Sequence, residues 1–88
     1  MKPNEILQKC LDLVTGERAS QHGDYTTMHE RFAELVTVYL GHPVTPAQAA
    51  FIMVLLKVAR QENGAFNPDD GVDGTAYTAI WAALCDGR

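Results

Sequence analysis

Apolar and polar residues along this chain recur with helical spacing, and no segment shows the strict alternation of a half-buried strand. From about Asn4 to Ser20, the apolar positions are Ile6, Leu7, Cys10, Leu11 and Val14. Asn4 reads as the N-cap, and Gly16 weakens the middle of the helix without ending it. Gln21, His22, Gly23 and Asp24 read as a turn in which Gly23 is free to take positive φ. A second helix, from about Thr26 to Leu40, carries Met28, Phe32, Leu35, Val36 and Tyr39 on its apolar stripe. Glu30, Arg31 and Glu34 lie on its other side, and Gly41-His42-Pro43 stops it. The third helix has the clearest start: Thr45 as N-cap, Pro46 at the first helical position and Gln48 completing a capping box, with an end near Asn63-Gly64. Residues 65–71 are rich in proline, glycine and acid and read as a loop. A fourth helix then begins near Val72 or Asp73, with Tyr77, Ile80, Trp81 and Leu84 on one stripe. Short connections favour antiparallel neighbours, so the pattern predicts an all-α, compact four-helix arrangement forming a single domain over residues 1–88.

The third helix changes this picture from architecture towards chemistry. From Ala49 to Ala59 every residue is apolar except Lys57. A helix without a polar face is expected in the middle of a bundle, covered on all sides. Lys57 then sits where lysine is rarely tolerated unpaired, and Arg60, three residues on, shares its face. Two neighbouring cations need an anion. It could be an external phosphate or carboxylate, gripped by the Arg fork and the Lys point charge. It could equally be an acid of this chain, chiefly Asp24 or Asp73. Lys57 could also simply snorkel at the helix end.

Composition narrows the function classes. With 88 residues, 47% of them hydrophobic, the chain makes one small domain that folds without metal or disulfides, though an oligomer would help it. A net charge of −4 argues against broad binding of DNA or RNA. No apolar run approaches a membrane span and no signal-peptide pattern is present, so no membrane partner is expected and the expected location is cytoplasmic, in a bacterial host or phage-infected cell. Cys10 and Cys85 both fall on apolar stripes and read as small buried hydrophobes, and no His/Cys cluster has zinc spacing.

Three further groups carry candidate chemistry. Asp69, Asp70 and Asp73 could join Glu30 and Glu34 around Mg²⁺ beside substrate phosphates. The plainer reading is surface acid, with Asp73 as an N-cap. His22, Gly23, Asp24 and Tyr25 could present a backbone N–H and an aromatic ring to a ligand, or simply form a turn whose Asp24 caps the next helix. Tyr77 and Trp81, one turn apart, could flank a nucleobase or belong to the core. His29 and His42 read as solvated. No phosphate-binding loop, dinucleotide fingerprint, nucleophile elbow or zinc-protease motif occurs.

In order along the chain come Glu17-Arg18, His22-Gly23-Asp24, Met53 to Arg60 (M-V-L-L-K-V-A-R), Asp69-Asp70 and Val72 to Tyr77 (V-D-G-T-A-Y). This pattern resembles a family of small helical phage and prophage proteins recorded as a domain of unknown function, from about Ile6 to Leu84. A similar order, Y-G-D, then K-x-x-R, then D-x-x-x-Y, occurs in phage nucleotide-modification-associated domains, which look related to MazG-like all-α pyrophosphohydrolases; His22-Gly23-Asp24 stands here in place of Y-G-D. That second resemblance implies a site at Asp24, Lys57, Arg60, Asp73 and Tyr77. MazG-like enzymes hold Mg²⁺ with E-x-x-E and E-x-x-D pairs on successive helices. Here the second helix offers only Glu30-x-x-x-Glu34, and the third has no acid before Glu62.

The expectation is a small phage-type binder of a nucleotide or other phosphate-bearing molecule. It would sequester a nucleotide-derived, even cyclic, signal and need no cofactor. The ligand would meet His22, Gly23, Asp24, Tyr25, Lys57, Arg60, Asp73 and Tyr77, and a homo-oligomer would let cations from two copies converge. Two alternatives stand beside it. One is a Mg²⁺-dependent nucleotide pyrophosphohydrolase with metal at Glu30, Glu34, Asp70 and Asp73. The other is a structural or interaction protein without a ligand.

Overall fold

A computed structural model describes residues 1–16 and 24–87. Four helices account for them: α1 (Pro3–Thr15), α2 (Tyr25–Leu40), α3 (Pro46–Glu62) and α4 (Pro68–Cys85). Among the described residues there is no strand.

Each boundary has a local cause. Lys2, not Asn4, precedes the first turn of α1 and offers no side-chain cap, while Pro3 takes an opening position that needs no N–H. The helix runs to Thr15 with Gly16 as its C-cap, and the expected continuation over residues 17–20 lies outside the described residues. The Gly16 N–H donates to the Asp12 carbonyl at 2.8 Å, and a Cβ there would lie 2.6 Å from that oxygen, so the last turn closes on a position only glycine fits. At α2, Asp24 is the cap: its carboxylate accepts from the Thr27 N–H at 3.4 Å and from the Thr27 hydroxyl at 3.3 Å. The predicted capping box of α3 is formed in both directions, Gln48 N–H to the Thr45 hydroxyl at 3.1 Å and Thr45 N–H to the Gln48 side chain at 2.9 Å. The start of α4 differs from expectation. Asn67 is its cap, accepting from the Asp69 N–H at 3.0 Å, and Pro68, Asp69 and Asp70 form the first turn rather than a loop. Proline at the first position and acids beside the positive helix end suit a start there. Asp73 is therefore an interior residue of α4, not its cap.

The packing order is α1, α4, α3, α2: α4 touches α1 and α3, and α3 touches α2. Helices α3 and α4 run antiparallel, since Gln61 meets Asp70, Lys57 meets Asp73 and Phe51 meets Trp81. On the α1 side, Cys10, Val72 and Ala76 are buried together, with Ile6, Leu13 and Val14 packed on them. Among the described residues the other buried apolar ones are Ala33, Ala49 and Ala50, small side chains that let helices approach closely. Among the described residues the largest fully buried side chain is His29.

This arrangement corrects the expected position of α3. It is not sheathed on all sides: Leu55, Leu56 and Val58 are exposed, and so are Leu35 and Tyr39 of the expected inner stripe of α2 and Leu7 and Leu11 of α1. A chain this short has too few helices to cover each one all round. His29, expected in solvent, occupies the buried side of α2 instead, and Cys85 is exposed where a buried thiol was expected.

Candidate functional site

On α3, positions 57, 60 and 61 are separated by three and four residues and share one face. On α4, Asp70, Asp73 and Tyr77 share one face by the same rule. The antiparallel packing sets the first group against the second. The Lys57 ammonium lies 3.3 Å from an oxygen of Asp73 and 3.9 Å from one of Asp70. The Arg60 Nε lies 3.7 Å from the same Asp70 oxygen. Gln61 Nε2 donates to the other Asp70 oxygen at 2.7 Å. Only the Gln61 contact has the length of a strong hydrogen bond; the 3.7 and 3.9 Å separations are ion pairs held mainly by Coulomb attraction.

Burial grades this cluster from inside to outside. The Lys57 and Asp70 side chains are 13% and 6% exposed, while that of Arg60 is 55% exposed. Asp70 also lies in the first turn of α4, where the unpaired N–H groups favour a carboxylate. The counter-charge that Lys57 requires is thus supplied within the chain. Of the acids expected to supply it, Asp73 takes part, whereas Asp24 is spent on capping α2. Asp70 and Gln61 were not expected in this role. Their signal was present: Gln61 lies one turn after Lys57, and Asp70 one turn before Asp73.

The aromatic candidates are engaged by other rings. Tyr77 meets the His29 ring edge-on with centroids 6.1 Å apart, and Trp81 meets Phe51 at 5.3 Å. These contacts fit the core reading of both residues. His29 Nδ1 lies 2.7 Å from the Tyr25 carbonyl and so donates to it, leaving a buried Nε2 with no hydrogen-bond partner. His22 and Gly23 lie outside the described residues. The proposed magnesium set is not gathered: Glu30 and Glu34 are exposed on α2, where Glu34 pairs with Arg31 at 3.8 Å, while Asp70 and Asp73 face α3. Among the described residues no three His, Cys, Asp or Glu side chains are placed to hold a metal ion.

At Cys10, Sγ donates to the Val72 carbonyl at 3.1 Å. Burial, and then the nearby charge of Asp73, push this thiol above its ordinary value of 9.0. Asp73 thus pairs with Lys57 of α3 and lies near enough to Cys10 of α1 for its charge to be felt there.

These features define a small all-α protein whose two middle helices are tied by a charge network. No described helix is long and apolar enough to cross a membrane. The chain belongs to the family described as domain of unknown function (DUF6378), whose model matches residues 5–85. It is similar to the Gene 55 protein of Mycobacterium phage L5, at 36% identity over 76 residues, covering 85% of this chain and 49% of that protein. The chain thus spans about half the length of the curated relative it matches. No solved structure matches it.

Proposed function

We propose that this chain is a small helical phage-type interaction protein, and that Lys57, Asp70, Asp73 and Gln61 form its framework, not a nucleotide clamp. One observation carries the reading: the Lys57 ammonium, on a side chain only 13% exposed, lies between two carboxylates of the same chain, one of which also accepts from Gln61. A phosphate entering here would have to displace Asp70 and Asp73 and would meet their negative charge. The ring partners of Tyr77 and Trp81 support the same reading, because a base would have to replace His29 or Phe51 to stack there. Among the described residues no acids are gathered into the metal site that a pyrophosphohydrolase would need.

One observation favours a phosphate-bearing ligand as the second reading. Arg60 is half exposed and meets Asp70 at Nε, 3.7 Å away, so part of its guanidinium surface faces solvent, where an anion could reach it. A thermal-shift panel of mono-, di- and cyclic nucleotides, with and without Mg²⁺, decides between the two. The framework reading expects no shift. A ligand at one hundred times its Kd would add about 2.7 kcal/mol, or roughly 10–20 °C in a domain of this size. A shift of that order, abolished by Arg60→Ala, would overturn the proposal.

A further inference from the structure

The face of α3 opposite Lys57 poses a separate problem. Gln48, Phe51, Leu55, Val58, Ala59 and Glu62 lie along one side of the helix, and all six are exposed. Leu55, at the middle of the stripe, is 54% exposed. The stripe is uncharged until Glu62, and its spacing of three and four is that of a helix-pairing seam. The whole chain exposes 6150 Å². A monomer of 9.6 kDa is expected to expose about 5,100 Å². The excess, roughly 1,000 Å², is close to what one subunit hides in a standard-sized interface, about 800 Å².

We infer that this stripe is the centre of a two-fold interface with a second copy of the same chain, α3 packing antiparallel on α3 about an axis at Leu55. The sequence is self-complementary about that position. Residue numbers that sum to twice 55 face each other, so Leu55 meets Leu55 of the other copy. The large Phe51, which keeps its ring contact with Trp81 of α4 and is 38% exposed on its outer side, meets the small Ala59, and the Gln48 amide meets the Glu62 carboxylate. An isologous interface requires this matching of a surface with itself. Pairing large against small fills the seam, and the amide donors of Gln48 satisfy the one charge at the rim. This deepens the interaction reading by naming a partner, and it uses the side of α3 turned away from the charge cluster.

Sedimentation equilibrium of the full chain, without nucleotide, at concentrations up to several hundred micromolar tests it. The expected mass is twice 9.6 kDa. Leu55→Glu, placing two carboxylates on the axis, is expected to halve the mass while the helical circular dichroism is kept. In a Cys85→Ser background, Leu55→Cys is expected to give a disulfide-linked dimer with diamide, because position 55 faces itself. Leu35→Cys, on the exposed side of α2, is expected to remain unlinked. A wild-type mass of 9.6 kDa at every concentration overturns the inference, and the stripe then belongs to another protein or to the remainder of a longer chain. So does a Leu55→Glu variant that keeps the doubled mass. A nucleotide-induced thermal shift would sink the framework reading without touching the mass, so the two failures are distinguishable.

Discussion

Replacing Lys57 by methionine isolates the charge at the α3–α4 seam. Methionine keeps much of the aliphatic stem and removes only the ammonium. Asp70, whose side chain is 6% exposed, then retains the Gln61 hydrogen bond at 2.7 Å and the Arg60 contact at 3.7 Å, and Asp73 loses its 3.3 Å contact with the ammonium. Breaking a buried pair by removing one member costs about 3–5 kcal/mol. The donors that Asp70 keeps place this change at the lower end, at about 3 kcal/mol. For a domain of this size that is a fall in Tm of roughly 12–24 °C, and a large share of a total stability of about 5–10 kcal/mol. Urea denaturation followed by circular dichroism measures it. Asp70→Asn is expected to be costly alone, and the Lys57→Met/Asp70→Asn double variant to lose less than the sum of the two, by about 1–2 kcal/mol. If Lys57→Met left the urea midpoint unchanged or raised it, the ammonium would be facing a ligand or solvent rather than its own acids, and the framework argument would fail.

Two further changes probe the same seam and its neighbour. A Cβ built on Gly74, inside α4, would sit 3.6 Å from the Lys57 Cβ, an ordinary contact; Gly74→Ala is therefore expected to stabilise by about 0.5–1 kcal/mol, seen as a higher Tm, and a loss of stability would show that α3 and α4 pack more tightly than described. The folded state holds the Cys10 thiol protonated to higher pH than the unfolded chain does. Its contribution is complete below the ordinary thiol value and is lost as pH rises through the raised folded value. Wild type is thus expected to lose more stability than Cys10→Ala as the pH is raised above 9.0, and parallel urea-midpoint curves would refute the shift.

What was legible in the sequence was local. Thr45, Pro46 and Gln48 announce α3 because cap and box are made by residues within one turn of each other. Asp24 likewise caps α2 through Thr27. The start of α4 was misplaced because Pro68-Asp69-Asp70-Gly71 has the composition of a loop. The same residues also suit a helix start, where proline needs no N–H and acids meet the positive end of the dipole. That displacement of one turn hid Asp70 as the partner of Lys57 and made Asp73 look like a cap. The burial of His29 was not legible at all. It depends on which side of α2 turns inward, and the alternative stripe of Met28, Leu35 and Tyr39 is the more apolar of the two.

The two unusual properties of α3 have one physical origin. A helix that is apolar all round satisfies its surface only when it is packed all round, and the described helices supply α3 with neighbours on two sides, α4 and α2. On the α4 side, the buried apolar residues at hand are mostly alanines, and small side chains alone allow helices to slide against each other. The Lys57–Asp70–Asp73 network opposes such sliding. Moving α4 by one turn, about 5.4 Å, would take both carboxylates out of reach of the ammonium and leave charges buried without partners. On the open side nothing in the described chain performs this service, and the apolar stripe about Leu55 is left to a partner. Charge fixes the register within the chain, and shape, Phe51 against Ala59, fixes it between copies. For that reason Lys57→Met should lower stability without changing the assembled mass per folded chain, whereas Leu55→Glu should change the mass first.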